Sequence, residues 1–248
     1  MEIGKVMLSE LPEKLQKYLK NLYNVTAVGQ VVKTMIPVYY RKGENVYFVE
    51  DYILYDNKTF EKTAPNGLYR GGALLSLVTD QGQVVIPDER FGWLRLIGGI
   101  ARFDEGDDLI KTAIREAVVE ELAVLSKNEE TRFIPKGIEG VSLLVNGWGF
   151  SAQKLEEIGE IEIVNYFFND QNKAFEIVVQ WTVHEELKIL HNEDWFIGGM
   201  SGICPLTIDK QGRITGIYSG RQGLIKIPIS VEPMKLHPTL LSIITEKN

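Results

Sequence analysis

The amino-acid sequence predicts an α/β protein organised around a mixed β-sheet, and three observations carry that expectation. Apolar runs of strand length lie before and after one amphipathic stretch at residues 108 to 125. Clusters of Asn, Asp, Gly and Pro punctuate those runs at short intervals. Hydrophobic residues fill 44% of the 248 positions and charged residues 25%, a globular balance that excludes a mostly disordered chain, a collagen-like repeat and a coiled coil.

The first element is a helix over residues 11 to 23. Leu11, Leu15, Tyr18, Leu19 and Leu22 recur at helical spacing, Lys and Glu occupy the other face, and Pro12 suits the first turn. Strand-like runs follow at Ala27 to Tyr40 and Asn45 to Tyr55, split by the turn Arg41-Lys42-Gly43-Glu44. Asp56 to Tyr69, with Asn57, Pro65, Asn66 and Gly67, reads as a loop. Nothing in this first quarter reads as catalytic.

From Gly72 the pattern tightens. Ala73 to Thr79 and Val84 to Pro87 read as strands around the turn Asp80-Gln81-Gly82. Trp93 to Ile97 leads into Gly98-Gly99 and a polar loop ending at Asp104 to Asp108. The helix at about 108 to 125 then turns Leu109, Ala113, Ala117 and Leu122 toward a core, with Asp107 or Asp108 as its cap.

Further strands are expected at Gly140 to Val145, Ile161 to Phe168 and Phe175 to Val183, followed by a polar stretch from His184 to Asp194. Gly202 to Ile208 and Arg213 to Tyr218 flank Asp209 to Gly212 as another hairpin, and a short helix begins at Pro238. With no repeat and no linker, the chain reads as one elaborated domain. Residues 1 to 70 form a helix-plus-hairpin extension packed on a main domain of residues 71 to 248.

Charge and cysteine content narrow the setting. A net charge of -7, from 27 Lys and Arg against 34 Asp and Glu, argues against bulk nucleic-acid binding but admits a nucleotide substrate beside a divalent cation. Cys204 is the single cysteine, and no Cys/His cluster has zinc spacing. The N-terminus has no signal-peptide pattern and no run reaches membrane-spanning length, so the expectation is a cytoplasmic protein without a membrane partner. His184 and His191, seven apart, make no defensible metal pair. Trp93, Trp148, Trp181 and Trp195 offer faces for a nucleobase but read first as packing residues.

Chemistry concentrates in GGIARFDEGDDLIKTAIREAVVEELAV, residues 98 to 124. Glu116 and Glu120 lie one helical turn apart, so both carboxylates can reach one point. Paired carboxylates repel unless a cation or an arginine stands between them, and hard oxygen donors suit Mg²⁺ or Mn²⁺. Alone, the pair reads first as an ordinary acidic helix face, common in a chain with 34 acids.

The segment resembles the Nudix box. That signature runs Gly, five residues, Glu, seven residues, Arg-Glu, an aliphatic, any residue, Glu-Glu, any residue, Gly, aliphatic. The resemblance implies an α/β/α sandwich around a mixed sheet, and hydrolysis of a diphosphate with divalent metals held by glutamates of the box helix. It implies Arg115, Glu116 and Glu120 as catalytic residues. Its implied metal set is Glu116, Glu120, Glu121 and Gly99, the glycine through its backbone carbonyl; Arg115 would pair with a box carboxylate.

Two departures from the signature stand out. Gly99 to Arg115 is two residues longer than the pattern, which places an insertion in Ile100 to Phe103 and sets Asp107 at the first glutamate's position. The helix admits two registers. Counted from Arg115-Glu116, Val119 falls where the first glutamate of the pair belongs; counted from Glu120-Glu121, the end fits with Ala123 for Gly, and one residue is extra. A π-bulge could absorb that residue, whereas a straight helix turns Glu121 about 100° from Glu120. Glu120 is usable in both registers. Glu185, Glu186, Glu193 and Asp194 are candidate outside acids.

These features favour a metal-dependent nucleotide pyrophosphohydrolase over a Nudix-like domain that has lost its chemistry and binds a nucleotide or protein partner. Cys204 in Gly-Ile-Cys-Pro does not suit an isoprenoid diphosphate isomerase. The sequence leaves the diphosphate substrate unspecified and a homodimer open.

Overall fold

The computed structural model describes residues 2–26, 35–88, 92–105, 108–116, 123–125, 159–183, 188–190, 206–219, 223–226 and 235–245. Its chain is mixed α/β, rich in strands, with short helices between them. It divides into two compact units. One holds residues 1–73, 99–112 and 164–178, and the other holds 74–98, 113–163 and 179–248.

The first unit begins with strand β1 (Ile3–Val6), a 3₁₀ turn and helix α1 (Glu13–Thr26), followed by β2 (Ile36–Lys42) and β3 (Asn45–Leu54). β1 runs parallel to β3 while β2 runs antiparallel to it, which makes the sheet mixed. The β2–β3 turn closes at Lys42 opposite Asn45, and Gly43 adopts φ 63°, a left-handed conformation that glycine takes without steric cost. Helix α1 buries Leu15, Leu19 and Leu22 against Ile36, Val38, Val49, Leu54 and Leu68, the apolar face anticipated from its spacing. β1 has no counterpart in the sequence expectations, because four residues give too short a run to show alternation.

The expected loop after Asp56 instead contains helix α2 (Asn57–Thr63). Asp56 caps it: the carboxylate accepts from the Thr59 backbone N–H at 3.0 Å and from the Thr59 hydroxyl. Phe60 anchors the helix with no exposed surface. These hydrogen bonds, the side-chain one foremost, hold the Asp56 carboxyl below the usual aspartate range. The cap therefore contributes fully above the unfolded-state pKa and is lost as pH falls through the lowered folded value. Asp56→Ala is expected to cost about 0.5–2 kcal/mol at neutral pH. Denaturant titration checks this, and the gap between wild type and variant closes in acid.

Strand β4 (Leu68–Thr79) starts in the first unit and ends in the second, and β10 (Ala174–Val183) does the same. β4 pairs with β2 through Val38 and Arg70, and carries Gly71 and Gly72 in the first unit. At Gly71 a Cβ would lie 2.5 Å from Tyr39 Cε2 and 3.1 Å from Ala101 Cβ. Gly71→Ala is expected to cost about 1–3 kcal/mol by overpacking, read as a lower midpoint of denaturation.

In the second unit β4 continues into β5 (Gly82–Asp88), followed by β6 (Trp93–Arg95). β7 (Ile97–Ile100) carries the Gly-Gly pair across the boundary, Gly98 in the second unit and Gly99 in the first, and a 3₁₀ turn at Phe103–Glu105 follows it in the first. Helix α3 (Leu109–Ile114) comes next, then β8 (Ala123–Leu125), β9 (Gly159–Asn169), β10 and β11 (Lys188–Leu190). β12 (Leu206–Ile208), β13 (Ile214–Ser219) and β14 (Gly223–Lys226) form successive antiparallel pairs, with β12 also against β5. Helix α4 (Pro238–Thr245) closes the described chain. Trp181, Leu77, Ile86 and Leu94 are fully buried in the second unit.

Two expectations are corrected here. The helix does not reach residue 125: Ala123, Val124 and Leu125 are extended and pair antiparallel with Leu190, Ile189 and Lys188. The polar stretch from His184 to Asp194 thus contains a strand, built on Ile189 and Leu190 between charged neighbours. Two short runs can satisfy each other's backbone groups without strong local propensity, so tertiary pairing overrides the helical pattern. The expected strand at Gly140 to Val145 and the positions Asp107, Ala117, Val119, Glu120, Glu121, Leu122, Trp148, His184, Glu185, Glu186, His191, Glu193, Asp194, Trp195 and Cys204 lie outside the described residues. No helix among the described residues is long and apolar enough to cross a membrane.

Candidate functional site

The segment singled out by its sequence starts on β7, whose Gly99 is half-buried. The chain then crosses to α3 through a turn held by Glu105. This carboxylate is buried, and its Oε2 accepts from the Arg102 backbone N–H at 2.8 Å and the Thr112 hydroxyl at 2.7 Å. Glu105 ties the loop to the first turns of α3. Asp108, beside it, pairs with Lys111 at 3.4 Å.

Glu105 was not among the expected site residues. Counted forward from Gly99, it stands after five residues, the spacing of the signature's first glutamate. Counting from the glycine rather than back from the arginine finds it.

At the end of α3 the winding changes. Arg115 and Glu116 take π-helical geometry, a wider winding than that of the α-helical residues before them. Arg115 Nη1 donates to Glu116 Oε1 at 2.7 Å, and the two side chains are only 3% and 11% exposed. Neighbours on a regular helix point about 100° apart, so the altered winding and the length of both side chains accompany their meeting. An ionised carboxylate offers about four lone-pair sites, so Glu116 can hold a guanidinium on one oxygen and still serve a hard cation. In donor chemistry the pair fits a Mg²⁺ or Mn²⁺ ligand steadied by an arginine. Among the described residues no group of three or more acidic, His or Cys side chains gathers at one point.

A second polar cluster lies within the first unit, on β4, β10 and α2. Arg70 is buried in β4; its Nε donates to Glu61 Oε1 at 3.1 Å, and Asn57 Nδ2 donates to the same oxygen at 2.8 Å. Arg70 Nη1 is buried without a hydrogen-bond partner. Glu176 on β10 is half-buried: protein surrounds its carboxyl, yet solvent still reaches the residue. Burial pushes the Glu176 carboxyl above the usual glutamate range, and the Arg70 charge opposes that rise. Gly72 faces the same spot. A Cβ placed there would stand 3.0 Å from Glu176 Cγ, 3.3 Å from Glu176 Oε1 and 3.1 Å from the Gly99 carbonyl oxygen.

The aromatic candidates divide. Trp181 is fully buried, a packing residue. Trp93 is half-buried, with Lys235 Nζ 4.4 Å from its ring centroid and the His237 ring 5.3 Å away, so neighbours within its own unit already contact its ring. No protein-family model matches the chain, and no curated protein matches it.

Proposed function

We propose that the chain is a Nudix-type pyrophosphohydrolase, cleaving a nucleoside diphosphate linked to another moiety in a Mg²⁺- or Mn²⁺-dependent reaction. The observation that supports this reading most is the buried Arg115–Glu116 pair, set on a π-helical turn where the box sequence carries one residue too many. Glu116 and Glu120 would hold the cation, with Glu121 as a further oxygen donor. Bound there, a divalent ion neutralises the diphosphate and lowers the pKa of a water.

The chain's own residues do the rest. Arg115 fixes the Glu116 carboxylate in one orientation, and a carboxylate of the box orients the attacking water and takes its proton. The water oxygen bonds to phosphorus as the bond to the bridging oxygen breaks. The same reading proposes the α/β/α sandwich arrangement and a cytoplasmic setting, the latter in keeping with a single cysteine.

A screen of nucleoside triphosphates, dinucleotides and sugar nucleotides with Mg²⁺ and Mn²⁺, scored for released phosphate and monophosphate, tests the reading. Cleavage of at least one diphosphate is expected. If none is cleaved while a nucleotide raises the melting temperature, the domain is a binder that has lost its chemistry.

A further inference from the structure

We propose that β9 is a pairing edge for a second copy of this chain, two β9 strands meeting antiparallel about a two-fold axis at Asn165. β9 is an unbroken run of 11 residues that carries Ile161, Ile163, Val164, Tyr166, Phe167 and Phe168. Yet no residue from Glu160 to Asn169 is buried, and Ile163 and Tyr166 are each 41% exposed. Its neighbour β10, of similar length and composition, buries eight of its 10 positions. Among the described residues β9 hydrogen-bonds to β10 alone, so its other flank is a sheet edge. A long apolar edge with neither Pro nor Lys along it is a template for another strand.

The strand is complementary to itself. In a symmetric antiparallel pair about Asn165, Glu162 stands opposite the partner's Phe168, Ile163 opposite the partner's Phe167 and Val164 opposite the partner's Tyr166. β-Branched side chains opposite aromatic ones are favourable cross-strand pairs, and the symmetry supplies each of them twice. The Tyr166 backbone N–H is taken by the Asn165 side chain at 2.7 Å; in the pair it donates instead to the partner's Val164 carbonyl. Charge sets the direction. Phe168 is held between Tyr69 and Phe175, with ring centroids 4.8 and 5.0 Å away, and the Arg41 guanidinium lies 4.2 Å from its centroid. Arg41 is exposed and has no carboxylate partner among the described residues. Each Glu162 therefore meets the partner's Arg41, whereas an in-register parallel pair sets Glu162 against the partner's Glu162.

Analytical ultracentrifugation of the full chain over a range of concentrations tests it, with circular dichroism as the check on folding. The wild type is expected to associate reversibly into a dimer. Ile163→Lys sets a charge against the partner's Phe167 twice per dimer and should weaken association by about tenfold or more. Ile163 is exposed in the single chain, so the variant should keep the wild-type spectrum. Glu162→Arg and Arg41→Glu are each expected to weaken the dimer by bringing like charges together. The double variant should recover it, because the ion pair is rebuilt with its signs reversed.

A wild type that stays monomeric at every concentration overturns the self-pairing and leaves the edge to a strand of a different protein. A dimer unaffected by Ile163→Lys forms through another face and overturns it equally. A double variant no tighter than Glu162→Arg alone overturns the antiparallel register about Asn165. None of these outcomes bears on the hydrolase reading, which diphosphate cleavage tests separately.

Discussion

Glu120→Gln is expected to lower diphosphate hydrolysis by roughly a hundredfold or more. The substitution keeps the side chain's size and removes the charge that would hold the ion. Each factor of ten in rate corresponds to about 1.4 kcal/mol of barrier, and the loss of a metal-held water reaches several kcal/mol. Glu121→Gln is the informative comparison. A π-helical turn is present at Arg115 and Glu116, and a widened turn is what would bring Glu121 round toward Glu116 and Glu120. An inward Glu121 makes its variant as damaging as Glu120→Gln; an outward one makes it nearly silent. Both variants should stay folded, because an acidic cluster without its cation repels itself. Full turnover in Glu120→Gln, in an otherwise active enzyme, would falsify the site assignment.

Arg115→Met carries the second large effect, on stability as well as rate. Arg115 is 3% exposed and its partner carboxylate, on Glu116, is 11% exposed. Removing the guanidinium takes away a charge-assisted hydrogen bond to a buried carboxylate, at a cost of about 1.5–3 kcal/mol. Replacing both members is far milder, so Arg115→Met combined with Glu116→Gln should recover most of that loss in urea titration while activity stays low. A double variant no more stable than Arg115→Met alone would show that the guanidinium matters through packing and not through Glu116.

Much of the scaffold was legible in the sequence, for reasons that differ by element. The α1 face showed itself through Leu15, Leu19 and Leu22 at helical spacing, and all three are buried. The hairpin around Gly43 and the one around Asp209 to Gly212 were marked by turn residues whose conformations are local properties. Helix α2 was missed because Asn57, Pro65 and Gly67 outweighed a quieter signal, the Asp56-x-x-Thr59 cap. β8 was read as helix because Ala123, Val124 and Leu125 continue an apolar period whose fate is decided by pairing with residues 188 to 190.

The chemistry was legible only where it is local. Arg115 and Glu116 are adjacent in the chain, so composition and spacing exposed them. Glu176 sits within a strand recognised as a strand, one acid among many. Its approach to Gly72 and Arg70 joins segments about 100 residues apart in sequence, and no pattern within any one segment encodes that. Glu105 stands five residues after Gly99, so its place is a local property of the sequence.

The passage of β4 and β10 from one compact unit to the other has a practical consequence. Each unit is stitched from separated stretches of chain, so neither can be cut out as one continuous fragment. An expression fragment ending near residue 70 would carry α1, α2 and the β2–β3 hairpin but would lose Gly99 to Thr112 and Val164 to Val178 from the same unit.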